Sequence, residues 1–482
     1  MPRTTGMTEK APNMDFKSRL ETIINRQRHS YIADGFPSAA IRIDRLSRAI
    51  ALLVENRDAI AAALSEDFGH RSTIQTIIAD VFAAVGSLRL ASAQVERWMQ
   101  PEFYESLAHD AEARVEYHPL GVVGIIGPWN FPYNLVFSPL AGILAAGNRA
   151  VVKPSEFTPK SSALMGDLIA RYFAPEEVAV IEGGPEEGET FSGAKWDHLI
   201  FTGSTTVGRH VMRAAAANLT PVTLELGGKS PVILTDQFDM AEAAARVMTV
   251  KTYNAGQICL APDHVYVPRG RERAFVDACV AATRTMYPDG TLSDDYTAII
   301  SERHFARLQH IVEDARQKGA EVVEVLATAP EANDRRMTPT ILVGVNDDMM
   351  VMQEEIFGPV LPVIGYDSLD AVIAKIRSGP SPLALYYFGE DDATAREVVD
   401  GTASGGVTIN DVMAHVFAEG LPFGGVGPSG MGAYHGNVGF RTFSHARSIY
   451  RQSKATEAVM LMRAPYGEQT RQFLEEALLK GH

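Results

Sequence analysis

KTYNAGQICLAPDH, residues Lys251–His264, joins a helix-patterned, alanine-rich segment, Asp239–Tyr253, to a strand-like run, Asp263–Pro268. Within it, Cys259 is one of two cysteines in 482 residues. A thiol in a short connection between two regular elements, with Asn254 and Gly256 just upstream, sits where a rigid scaffold presents functional groups. Alone, such a cysteine reads as a small inert hydrophobe. Partners elsewhere in the chain tip the reading towards chemistry. The second cysteine, Cys279, falls on one helical stripe with Phe275, Val276 and Val280, and reads as core.

On both sides of this stretch, short apolar runs alternate with helical patterns. Upstream, Gly121–Ile126 reads as a strand ahead of a break at Gly127-Pro128; after the break strands are expected at Ala150–Val152, Val178–Ile181, His198–Thr202 and Val222–Leu226, with helices at Asn134–Ala146, Pro159–Phe173 and Thr206–Ala217 between them. Downstream, strands Pro231–Leu234, His264–Val267, Val322–Val325, Thr340–Val343, Leu361–Ile364 and Leu385–Phe388 alternate with helices such as Glu272–Thr285 and Ser301–Lys318. Both patterns imply α/β domains with parallel sheets. Before them, Phe16–Met99 carries helical periodicity, clearest at Ala39–Val54 and Ile74–Trp98. Arg114–His118 and Thr442–Tyr450 read as strands able to pair in an arm outside both domains, while glycine-rich Leu421–Gly432 reads as loop.

Composition narrows the function. The length allows two or three domains with real cores. A net charge of -15 argues against nucleic acid as a partner, because such partners need a basic face. With two cysteines there is no disulfide framework, which fits the cytoplasm. MPRTTGMTEKAPNMDFK lacks a signal-peptide apolar core, and no uninterrupted apolar run is expected to cross a membrane. The tail, Ala455–His482, reads as an amphipathic surface helix or arm.

Several residues could carry chemistry. Glu225, in LELGGKSP, is an acid at the end of an apolar strand, costly to bury without a role or a partner. It would raise the pKa of a nearby thiol and suits activation of water. A strand-end carboxylate reaching solvent is the other reading. Asn130, in GPWNFPYN, is held between prolines and could donate to an oxyanion together with the Cys259 N–H; it could equally bond its own turn. Lys153 and Glu156, in VVKPSE, follow a strand where ligands of parallel sheets bind. Glu156 could accept from a ribose diol and would disfavour a 2′-phosphate. GSTTVG, residues 203–208, passes from strand to helix where phosphate is attracted, without the GxGxxG fingerprint. Gly183-Gly184 is a weaker version of the same signal. In EEIFGP, Glu355 could hold a second ribose and Phe357 could pack on a nicotinamide. No His or Cys spacing indicates a metal.

PWNFP, VKPSE, FTGSTTVG, LELGGKSP, GQIC, EEIFGP and LPFGGVGPSGMG, in this order, resemble the aldehyde dehydrogenase superfamily, and GQICLAPDH and GPSGMGAYHG resemble its class 3 branch. The likeness runs from about Phe16 to Tyr450. It implies that Cys259 is the nucleophile, Glu225 the general base and Asn130 an oxyanion donor. It places Lys153 and Glu156 at the adenosine ribose, Gly203, Ser204 and Gly208 at the pyrophosphate, and Glu355 and Phe357 at the nicotinamide half. Trp129, Gly184 and Leu226 count among the cofactor contacts. The implied cofactor is NAD, with NADP less favoured. The implied substrate is an aromatic aldehyde such as coniferaldehyde, or a medium-chain aliphatic one.

The resemblance also implies a Rossmann-like NAD-binding domain (16–113 and 127–228) and an α/β catalytic domain (229–412). A β oligomerisation arm (114–126 and 433–455) serving a homodimer, a return segment (413–432) and a tail (456–482) complete the division. A CoA-acylating enzyme, a cofactor-free thiol esterase and a non-catalytic protein on the same fold are the competing expectations.

Overall fold

Helices come first, as the periodicity of the N-terminal part implies. Phe16–Asp34 starts at Asp15, whose carboxylate accepts from the Ser18 N–H, and Ala39–Glu55 starts at Ser38, whose hydroxyl accepts from the Ile41 N–H. Such caps satisfy N–H groups that a helix start leaves unpaired. The computed structural model describes residues 15–106, 110–327, 335–454 and 463–479. Most of the stretch read for a signal peptide, residues 1–14, lies outside the described residues.

Thr73–Trp98 is a continuous helix with a π-helical turn at Ile77–Phe82. By length and composition alone it passes for a membrane span, although Asp80, Arg89 and Glu96 interrupt its apolar residues. Its Ala84, Val85, Leu88, Ala91 and Val95 are instead buried, packed on Ala39–Glu55 and Asn134–Ala146. A helix with one apolar face against a core behaves this way.

β1 (Glu102–Tyr104) and β2 (Glu112–Pro119) pair antiparallel. Five parallel strands follow: β3 (Val122–Ile126), β4 (Arg149–Lys153), β5 (Val178–Val180), β6 (His198–Thr202) and β7 (Val222–Glu225), in the order β5-β4-β3-β6-β7. Their apolar residues alternate between two cores. Val123, Ile125, Val152 and Ile200 face one, and Val122, Val151, Leu199, Phe201 and Leu224 face the other. A sheet covered on both faces demands such continuous apolar runs. The strand order reverses at β3, between β4 and β6. Connections leaving β3 and β6 therefore diverge, opening a crevice at the carboxyl ends.

The second sheet runs β10-β11-β12-β9-β8-β13-β14. Its strands are β8 (Pro231–Leu234), β9 (His264–Pro268), β10 (Glu321–Glu324), β11 (Thr340–Val343), β12 (Val360–Tyr366), β13 (Ala384–Phe388) and β14 (Gly406–Ile409). Only the β10–β11 pair is antiparallel. The chain then returns through β15 (Gly430–Met431) to β7 and ends this part in β16 (Ser444–Arg451) against β2.

Two expectations need correction. The arm assigned to 114–126 stops short of Val122, because VVGII is apolar on both faces and serves as a central strand of the first sheet. The half-buried β2 alone joins β1 and β16 in a three-stranded arm. Nor is Leu421–Gly432 all loop. Gly430 pairs with Glu225, in a left-handed conformation (φ 145) where a β-carbon would meet the Leu224 carbonyl at 2.2 Å. In the tail, Glu468–Leu479 is a helix with no buried residue, while 455–462 and 480–482 lie outside the described residues.

Candidate active site

Cys259 sits just beyond a strained turn. The helix Met240–Thr252 runs into Tyr253–Gly256, where Asn254 (φ 48), Ala255 (φ 51) and Gly256 (φ 69) are all left-handed. For residues other than glycine such backbone costs about 1–3 kcal/mol each and persists only where neighbours enforce it. Gln257 is one enforcer. Its amide donates to the Asn254 carbonyl at 2.9 Å and the Ala298 carbonyl at 3.1 Å, and its Oε1 accepts from the Ile300 N–H at 3.0 Å. The turn leaves the Cys259 side chain partly buried, while Cys279 is fully buried in its helix; both are free.

The thiol faces a cleft of about 640 Å³ at the crevice of the first sheet. Trp129 and Asn130 enter from the connection after β3, Gly203 and Ser204 from that after β6, Glu225 and Leu226 from the end of β7, and Glu355 and Phe357 from the turn before β12. Nine of the expected cofactor and catalytic residues thus share one wall system with Cys259 counted among them. Lys153, Glu156, Gly184 and Gly208 do not line it. Lys153 and Glu156 stand at the end of β4, with Nζ 3.7 Å from the Glu156 carboxylate. Gly184 donates its N–H to Glu187 at 2.8 Å at the start of the helix Pro185–Ser192, and Glu187 also acts on the Lys153 charge. Gly208 packs under Leu226, where a β-carbon would lie 2.7 Å from Cδ2.

Burial dominates the electrostatics. Glu225 is 2% exposed, and neither carboxylate oxygen has a hydrogen-bond partner among the described residues. Desolvation alone pushes its pKa well above the ordinary value. Glu355 is pushed up to about 8, by burial first and the Asp263 charge second. For Cys259 the thiol is pushed up to about 12, by burial and then by the Glu355 and Glu225 charges. In these surroundings the sulfur keeps its proton at neutral pH. One more feature fixes the wall. Lys229 donates to Asp263 and to the carbonyls of Val351 (2.7 Å) and Glu354 (2.8 Å), while Asp263 accepts from the Ile356 N–H at 3.0 Å. That node clamps LELGGKSP, EEIFGP and the stretch after Cys259 together.

Sequence reading passed over Lys229 and Asp263, although both lie inside quoted motifs. It also missed His304 and Arg307. Both line the cleft from the helix Glu302–Gln317, with the His304 ring edge-on to Trp129 at 5.3 Å. No local pattern marks them, because their contacts are with residues far away in the chain.

Residues 37–449 match the Aldehyde dehydrogenase family. The chain belongs to that family. It is an aldehyde-oxidising oxidoreductase of the family's mixed α/β fold. It is 52% identical over 453 residues to the coniferyl aldehyde dehydrogenase of Pseudomonas sp. (strain HR199 / DSM 7063), covering 93% of this chain and 94% of that one. With the dimeric NADP-preferring aldehyde dehydrogenase of Mus musculus it shares 37% over 451 residues, covering 93% and 98%. Among solved structures, the substrate-bound state of Staphylococcus aureus AldH superposes with a TM-score of 0.86 at 35% identity, covering 90% of this chain and 94% of that one. The family uses NAD(P), and complexes with NAD+ occur among the structural neighbours.

Proposed function

We propose that the chain oxidises an aromatic aldehyde of the coniferaldehyde kind to its carboxylic acid, with NAD as acceptor, through a thioester on Cys259. The observation that carries this reading is the convergence of the Cys259 thiol, the Glu225 carboxyl and the Asn130 amide on one cleft. The name of the Pseudomonas relative supports the aromatic substrate.

A nicotinamide dinucleotide suits the residues present. The cleft opens at the crevice of a parallel sheet, beside the start of the helix Thr205–Ala216. Lys153 is a buried ammonium with the Pro154 carbonyl at 3.4 Å and Glu156 at 3.7 Å, so it has donors to spare for hydroxyls. When bound, the dinucleotide supplies the acceptor for the two electrons of the aldehyde C–H bond. Glu156 beside Lys153 favours NAD over NADP by repelling a 2′-phosphate, although the mouse relative is named for NADP.

The protein's own groups do the rest. Cys259 Sγ, giving up its proton to water as it attacks, bonds to the aldehyde carbon, and the C=O π pair moves onto the oxygen, which gains negative charge. Asn130 Nδ2 and the Cys259 N–H hold that charge, each donor of this kind being worth about 2.7–4 kcal/mol. Loss of the C–H electrons leaves a thioester on sulfur. Glu225, once ionised, takes a proton from water, whose oxygen attacks the thioester carbon and releases the acid. A buried carboxyl on the same cleft as the thiol, able to activate water, favours water over CoA as the acyl acceptor. Two copies joined through the β1-β2-β16 arm make the dimer, in line with the exposed Phe103, Tyr104 and Tyr450 there.

A kinetic panel of coniferaldehyde, benzaldehyde and hexanal, with NAD and NADP and with or without CoA, tests this. Highest kcat/KM for coniferaldehyde with NAD, independent of CoA, is the expected result. Turnover that requires CoA, or a clear preference for hexanal, overturns it.

A further inference from the structure

Two buried amides meet on one carbonyl. Asn130 Nδ2 donates to the Gln257 oxygen at 3.2 Å, and so does Asn254 Nδ2, also at 3.2 Å. Asn254 Nδ2 reaches further, to the backbone oxygen of Asn130 itself at 3.3 Å. This side chain therefore cross-links the connection after β3 to the turn carrying Cys259, although the two lie more than a hundred residues apart in sequence. Asn254 is fully buried, and it is held in turn from the Thr73–Trp98 helix, where Gln75 Oε1 accepts the Asn254 N–H at 2.9 Å.

The arrangement is costly. Asn254 adopts φ 48 and ψ 31, and its Oδ1 is buried without a partner among the described residues. An unsatisfied buried acceptor and a left-handed backbone each destabilise a fold. Their persistence at one residue marks the two donated bonds as what the position is kept for.

We infer that Asn254 is a positioning residue, whose amide sets the direction of the Asn130 amide against the Cys259 turn. It touches neither aldehyde nor dinucleotide. The inference rests on the proposed role of Asn130 as an oxyanion donor.

Asn254→Gly is the informative variant, since glycine accepts the left-handed backbone and only the cross-link is lost. Asn254→Asp keeps the shape but turns both donated bonds into contacts between acceptors. In single-turnover oxidation of coniferaldehyde, each should slow the reaction on the order of 10²-fold, the cost of a misplaced group. KM for NAD should stay within about twofold, because binding is untouched. In an Asn130→Ala background, itself about 10²–10³-fold slower, Asn254→Gly should change the rate by less than about threefold, because its route of action is gone.

An equal fold-loss in both backgrounds, or a wild-type rate in Asn254→Gly, overturns the inference. A wild-type rate in Asn130→Ala would instead remove the oxyanion role, so the two failures are distinct. Should neither Asn254 variant fold, as judged by thermal melting, the amide is a requirement of the fold and the positioning role falls.

Discussion

The Glu355 carboxylate lies directly against the α-carbon of Gly227: a β-carbon on Gly227 would stand 2.2 Å from Oε2 and 2.4 Å from Oε1. Gly227 is not left-handed, so its backbone would accept alanine and only the close approach forbids it. Gly227→Ala should push Glu355 out of the cleft wall. KM for NAD is expected to rise about tenfold, the scale of one lost hydrogen bond. Fluorescence titration with NADH checks it; unchanged affinity would separate Glu355 from the dinucleotide.

Thiol reactivity offers a second check. Burial, then Glu355 and Glu225, push Cys259 up to about 12, and only the thiolate alkylates. Inactivation by iodoacetamide should therefore rise about tenfold per pH unit from 7 to 9 without a plateau. Glu355→Gln removes the larger of the two charges and should speed inactivation at pH 9, above the value of about 8 at which Glu355 ionises. Mass spectrometry should find the label on Cys259 and not on buried Cys279. A plateau below pH 8 would show an ionised thiol and contradict the stated surroundings.

Glu225 should reveal itself in both rate and stability. Glu225→Gln is expected to give a burst of NADH near one per subunit, followed by slow turnover, because the thioester then lacks its base. The raised pKa adds a stability term with a definite sign. In the folded chain the carboxyl keeps a proton that the unfolded chain releases above its ordinary value of 4.5. Stability therefore falls as pH rises from there towards the raised value. Glu225→Gln lacks that loss, so its melting temperature should gain on wild type as pH increases. Parallel curves of melting temperature against pH would rule out the buried, neutral carboxyl.

The proposed preference for NAD rests on Glu156, whose side chain is 38% exposed beside buried Lys153. Glu156→Gln keeps a hydrogen-bonding group and removes the repulsion of a 2′-phosphate. The ratio of kcat/KM for NADP to that for NAD is expected to rise about tenfold, the equivalent of about 1.4 kcal/mol. No change in the ratio would place the ribose elsewhere.

What could be read ahead of the structure was what is local. Cys259, Glu225 and Asn130 stand at strand ends or the connections beside them, where residue type and neighbouring Gly or Pro single them out, and the cleft holds all three. The alternation of apolar runs and helical patterns likewise gave the two parallel sheets. Val122–Ile126 was misplaced because an apolar run looks the same in an arm and in a buried sheet; only pairing with β4 and β6 decides. Gln75 and His304 escaped notice, and Asn254 was read only as a neighbour of the thiol, for a related reason. Their meaning lies in contacts with Asn254, Trp129 and Asn130 respectively, which no periodicity encodes.

The clamp at Lys229 gives the last test. Its ammonium holds Asp263, whose side chain is 3% exposed. Burial would raise the Asp263 pKa, but Lys229 and His264 outweigh it and hold the carboxyl below its ordinary range. Lys229→Met leaves that charge buried without its main partner, a change that costs about 3–5 kcal/mol where a buried pair is broken. Lys229 is itself 21% exposed, so water can enter and the lower end applies, about 3 kcal/mol. The depressed pKa fixes the sign with pH: the contribution of the pair is present above the ordinary value of 3.8 and is lost as pH falls below it. Chemical denaturation at pH 7 should therefore show the full loss, and the gap between variant and wild type should narrow on acidification. Activity should fall in the same variant, because Lys229 also holds the Glu354 carbonyl next to Glu355. A variant as stable and as active as wild type would mean that the Ile356 N–H and His264 suffice for Asp263, and that the clamp does not shape the cleft.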